Sequence, residues 1–129
     1  MDDRTIYISG PIGNGGKCTP EQQLQNVFNG EELYGQLMAK GYAPFCPHLS
    51  YYPDKRWRDT GTKKFIFDHD TWLNIDKQWV KNCRYFFYML PEKYGDSKGA
   101  KMEYDWAKKW GKRIFTNIKE VPSKLEIPV

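Results

Sequence analysis

An α/β fold is predicted here: a doubly wound, mostly parallel sheet of four to five strands in a Rossmann-like or flavodoxin-like three-layer sandwich. Two observations carry the prediction. Short β-rich runs alternate with amphipathic segments in the order strand, helix, strand, helix, strand, helix, strand, and right-handed crossovers then give a mostly parallel sheet. The run Tyr85 to Leu90 (YFFYML) is short and continuously apolar, as a strand covered on both faces requires. At 129 residues the chain (1–129) makes one domain with a single core.

Arg4 to Ser9 (RTIYIS) reads as the first strand, stopped by Gly10-Pro11. The following loop, GPIGNGGK from Gly10 to Lys17, has four glycines and one lysine, which lets backbone N–H groups come close to an anion. It is not a Walker loop, because Cys18 follows Lys17, and it does not fit GxGxxG. A plain mobile turn is the alternative. Thr19 then reads as an N-cap with Pro20 at the first helical position, and Leu24, Val27, Phe28, Tyr34, Leu37 and Met38 carry an apolar face to a stop at Gly41.

Tyr42 to Cys46 reads as a second short strand, with Pro44 counting against it. The stretch PHLSYYPDKRWRDTGTKK is expected to be a long substrate-facing lid carrying His48, Tyr51, Tyr52 and Trp57. His48 is either a ligand contact or a hydrogen-bonded structural histidine. A helix from Asp68 or Asp70 to Lys81 follows, with the stripe Trp72, Ile75, Asp76, Trp79, Val80 and Cys83. After the central strand, a helix opens near Ser97 and places Ala100, Glu103, Ala107 and Trp110 on one face. Lys112 to Thr116 is the last strand. The tail to Val129, ending KLEIPV, is expected to add an edge strand or reach a neighbouring subunit.

Two acids thus interrupt packing faces, Asp76 and Glu103, where a carboxylate is costly to bury. Each alone reads as a buried cap; together, flanking one strand, they read as a site. In such sheets ligands bind outside the carboxyl ends of the strands, where the Gly10–Lys17 loop and the Ser97-Lys98-Gly99 helix start also converge. The sequence offers no Ser-His-Asp order, no metal-ligand cluster and no dinucleotide fingerprint, so no metal or organic cofactor is called for. A carboxylate nucleophile with a second acid, an anion seat and aromatic surface suits displacement at a sugar carbon with a flat leaving group. The 16% aromatic content fits such a pocket, or a core enlarged by rings.

The net charge of +4 is dispersed and interleaved with acids, which excludes the basic stripe of a nucleic-acid-polymer binder but suits a small phosphorylated ligand. Cys18, Cys46 and Cys83 are an odd, widely spaced set without CxxC, pointing to a reducing compartment. With no apolar run of membrane-spanning length and no signal-peptide core, the expected location is the cytoplasm.

The blocks IYISGPI (Ile6 to Ile12), PFCPHLS (Pro44 to Ser50), DKQWVKNCRYFFYMLP (Asp76 to Pro91) and SKGAKME (Ser97 to Glu103) resemble the nucleoside 2-deoxyribosyltransferase superfamily. Within it, the closest pattern is that of the nucleoside 5′-monophosphate N-glycosidases. The resemblance implies that Glu103 is the nucleophile at C1′, that Asp76 protonates or orients the base, and that Tyr7 orients the nucleophile. It implies a 5′-phosphate seat at Ser97 and Gly99, lined by Gly10, Pro11, Ile12, Asn14, Gly15 and Gly16, with Lys17 as a charge partner and His48 toward the substrate. The transferases resemble one another in having an acid where Ser97 stands. Asp96 is adjacent, and a one-residue shift would put an acid in the seat. Arg84 departs from the family's usual acid after Cys83. The implied activity is hydrolysis of the N-glycosidic bond of a pyrimidine or modified pyrimidine nucleotide. A base-exchanging transferase or a nucleotide sensor without turnover are the alternatives. The implied assembly is a homodimer or higher homo-oligomer.

Overall fold

A computed structural model describes residues 3–124. Four strands form one all-parallel sheet in the order β2-β1-β3-β4. They are β1 (Thr5–Ser9), β2 (Ala43–Phe45), β3 (Tyr85–Tyr88) and β4 (Arg113–Phe115). Helices α1 (Pro20–Ala39), α2 (Tyr51–Asp59), α3 (His69–Asn82), α4 (Pro91–Tyr94) and α5 (Lys98–Lys109) connect them. The fold is α/β and doubly wound, with the direction of winding reversing between β1 and β3.

Strand alternation sorts β1 between two cores. Ile6 and Ile8 pack with Leu33 and Leu37 of α1, whereas Tyr7 packs with Val80, Phe86, Ala100 and Ala107 on the side of α3 and α5. Helix starts follow the sequence closely. Thr19 and Gln22 form a reciprocal capping box at α1, Asp68 accepts from the Thr71 N–H at 2.8 Å, and Ser97 caps α5.

Three expectations need correction. The stretch after Cys46 is not a long loop: a 3-10 turn (Pro47–Ser50), α2 and a second 3-10 turn (Lys63–Phe65) fill it. Helix α2 has no buried residue, so no apolar period betrays it. The pairs Asp54–Arg58 and Lys55–Asp59 support it, and Pro53 falls in the tolerant first turn. Leu24, Phe28 and Met38 are exposed on α1, because the sheet reaches only the Val27–Leu33–Leu37 stripe. Ile75 and Trp79 of α3 are likewise exposed, beside the open edge of β2.

On that edge the Ala43 N–H is donated inward to Arg4 O, so Pro44 faces outward, where a proline removes no ladder bond. The end of the tail, residues 125–129, for which an edge strand or subunit contact was expected, lies outside the described residues.

Candidate functional site

The site forms at the winding reversal between β1 and β3. Tyr7 and Ser9, two apart on β1, point to the same face. Glu103 of α5 meets them there with 5% of its surface exposed. The Tyr7 hydroxyl donates to Glu103 Oε2 at 2.7 Å and the Ser9 hydroxyl to Oε1 at 2.8 Å, so each carboxylate oxygen receives a hydrogen. Tyr7 is itself fixed, stacked between Phe45 and Phe86 with both ring centroids 5.7 Å away.

Asp76 comes to the same cluster from α3, against both Glu103 and the Tyr7 hydroxyl. Burial raises its carboxyl above the ordinary range. Glu103 is raised too, by burial first and then by the charge of Asp76, while the two hydroxyls oppose the rise. Burial, then the Glu103 charge, lifts the Tyr7 phenol well above its usual value, so it stays a donor. Two buried carboxyls in contact hold one proton between them. Both Glu103 oxygens already accept hydrogens, which favours charge on Glu103, while its deeper burial and the nearby Asp76 favour the proton there.

Beside Asp76 lies a cavity of about 420 Å³ walled by Tyr34, Phe45, Leu49, Trp72 and Ile75. It is large enough for a flat ring system. Asp76 is part of the cavity wall, whereas Glu103 is not.

The glycine loop converges on the start of α5. Asn14, in a left-handed conformation at φ 46°, accepts the Lys98 N–H on its Oδ1 at 3.3 Å. Ser97 Oγ accepts the Ala100 N–H at 3.1 Å, which leaves its own hydrogen to donate. Asp96 is exposed and does not cap the helix, and Ser97 holds the N-cap position. Gly99 lies close to His69 and Leu73. Gly10 is needed where it stands, since a Cβ there would meet Met89 Sδ at 2.3 Å. Pro11 is buried, and Ile12 is tied to α1 through Asn26 Nδ2 donating to its carbonyl at 2.8 Å. The Gly16 N–H, expected to face an anion, is instead donated to Gly13 O at 3.1 Å within the turn. Gly15 and Lys17 are exposed.

His48 has no exposed surface and sits under this loop, so direct ligand contact is closed to it. Burial lowers its imidazole to about 4, with the Pro11 carbonyl acting the other way, and its Nε2 has no hydrogen-bond partner. Tyr51, Tyr52 and Trp57 ride on α2 rather than on a loop.

One residue of the cluster escaped sequence reasoning, Ser9. Its signal was the two-residue spacing from Tyr7. Among the described residues no group of three or more His, Cys, Asp or Glu side chains could hold a metal ion, the three cysteines are free, and no helix is long and apolar enough to cross a membrane.

No curated protein and no solved structure matches the chain. Residues 4–116 match a family described as a domain of unknown function, DUF4406. With nearly the whole α/β unit inside that match, site included, the chain belongs to the DUF4406 family.

Proposed function

We propose that this protein hydrolyses the N-glycosidic bond of a nucleoside 5′-monophosphate, with a pyrimidine or modified pyrimidine as the leaving base. One observation carries the reading: a buried glutamate with both oxygens held by hydroxyl hydrogens and a second carboxyl in contact with it. Glu103 attacks C1′ as the glycosidic C–N bond breaks. The bonding pair leaves on the base nitrogen, which takes the Asp76 proton. Water then attacks C1′, gives its proton to Asp76, and frees Glu103 and a sugar 5-phosphate with net retention.

The α5 start supports the phosphate assignment. Ser97 precedes Glu103 by six positions, about 9 Å along a helix axis, a span suited to a pentose and its 5-phosphate. A serine hydroxyl and first-turn amides favour a dianion there. The cavity beside Asp76 suits the base.

We also assign a homodimer to this reading. A second apolar recess of about 420 Å³ joins the first along β2, sharing Tyr34, Pro44 and Phe45 with it. Half-exposed Met38 and Trp79 project beside the second recess, which the base does not occupy, so one face offers both knobs and holes, as a two-fold contact requires. Charge favours a second copy as occupant. Helix α1 carries Glu21, Glu31 and Glu32 and no basic residue, whereas 51–65 carries five basic residues against two acids. Light scattering of a Trp79→Glu variant tests this; a wild-type monomer at tens of micromolar rejects it.

Chromatography of free base tests the reaction. The protein is incubated with nucleoside monophosphates and the matching nucleosides, beside Glu103→Gln. Base released from monophosphates alone, and lost in the variant, is expected. Release only from nucleosides with an acceptor base present makes the protein a transferase. Ligand-raised melting temperature with no release makes it a nucleotide sensor.

A further inference from the structure

We propose that Ser9 is a positioning residue for Glu103, turning its single hydrogen between two acceptors as the carboxylate gains and loses its charge. The inference rests on Glu103 being the nucleophile.

Ser9 closes β1 with no exposed surface. Its Oγ lies 2.8 Å from Glu103 Oε1 and 3.3 Å from the Ala100 carbonyl, one helical turn earlier on α5. A hydroxyl has one hydrogen to give. With Glu103 ionised the hydrogen goes to the carboxylate, since a charged acceptor binds about twice as strongly as a neutral one. Rotation about Cβ–Oγ then brings it to Ala100 with no heavy atom moving.

That choice distinguishes the two carboxylate oxygens. When Glu103 bonds to C1′, the attacking oxygen becomes the bridging oxygen of an ester, a poor acceptor, and the other becomes its carbonyl, a good one. Tyr7 is clamped by its stacked neighbours and stays on Oε2. Ser9 has somewhere else to go. Oε1 is therefore the attacking atom and Oε2 the ester carbonyl. As the Oε1–C1′ bond forms and the base leaves with its electron pair and the Asp76 proton, the Ser9 hydrogen swings to Ala100. As water displaces Oε1 from C1′, it swings back. No buried donor is stranded at either stage.

The groups facing Glu103 are Tyr7 and Ser9 from β1 and Asp76 from α3. Losing the Ser9 hydrogen removes one of the two groups favouring charge on Glu103.

The test begins without substrate. Isotope-edited infrared titration of labelled glutamate follows Glu103 in wild type, Ser9→Ala and Ser9→Cys, with melting curves to check folding. The expected result is a midpoint raised by about one to two pH units in Ser9→Ala, and by less in Ser9→Cys, whose thiol is a weak donor of similar shape. An unchanged midpoint in both folded variants overturns the proposal. Where wild type releases base, rapid-quench kinetics of Ser9→Ala should show glycosyl transfer to Glu103 slowed about 10- to 100-fold. Equal rates in variant and wild type also overturn it. If wild type releases no base, the nucleophile reading fails, and the infrared midpoint still decides whether Ser9 holds Glu103.

Discussion

The imidazole of His48 lies directly against Gly30, where a Cβ would meet its Cγ at 2.3 Å. A glycine in mid-helix is ordinarily unfavourable, yet here it lets α1 close over a buried ring that supports the Gly10-Pro11 loop. Gly30→Ala should therefore lower stability by about 1–3 kcal/mol, seen as a reduced melting temperature. Gly35→Ala, five residues along the same helix with nothing within 4 Å of its added Cβ, should raise it by about 0.5–1 kcal/mol.

The buried ionisable groups predict an unusual pH profile. Asp76 and Glu103 have folded values above their unfolded ones, so their contribution is fully present below about pH 4 and is lost as pH rises through the folded values. His48 has the opposite sign. Its folded value near 4 lies below the ordinary 6.5, so its contribution is present above 6.5 and is lost as pH falls toward 4. Between these limits the two oppose each other; above 6.5 only the acids act. Melting temperature should fall from pH 6.5 to 8.5, and Asp76→Asn should flatten that fall.

Ser97→Asp separates phosphate recognition from folding. Aspartate caps a helix as well as serine does, so the melting temperature should be little changed. Facing a phosphate dianion it should raise KM for monophosphates by about 10-fold or more while leaving nucleosides less affected. Equal effects on both substrates would remove Ser97 from the phosphate seat.

Charge complementarity across the proposed dimer predicts salt sensitivity. The dissociation constant should rise between 50 and 500 mM salt, as expected when exposed opposite charges are screened. Lys63→Glu with Lys64→Glu should raise it at low salt and abolish the salt dependence. Sedimentation at several salt concentrations reads both.

The order of elements was legible because strands and helices here differ in period, and because Thr19, Asp68 and Ser97 mark helix starts chemically. Glu103 and Asp76 stood out as charges on apolar faces, and the fold brings them together. Helix α2 was not legible, since it buries nothing and its stabilising pairs are exposed. The exposure of Ile75 and Trp79 could not be read either, because a stripe facing an open sheet edge has the same period as one facing a core. Ser9 was hidden by its size: a small polar residue ending a strand usually marks a turn. Only its shared face with Tyr7 gives it away.

Pro44 at the centre of β2 has a consequence for how copies of this chain meet. The outward position of that edge offers no amide hydrogen, so a strand from another molecule cannot register against it. In the proposed dimer, contact on this side would proceed through side chains of α1 and α3. Edge-to-edge stacking of the kind that leads to fibrils lacks an amide donor at that position, although half-exposed Met38, Ile75 and Trp79 lie beside it.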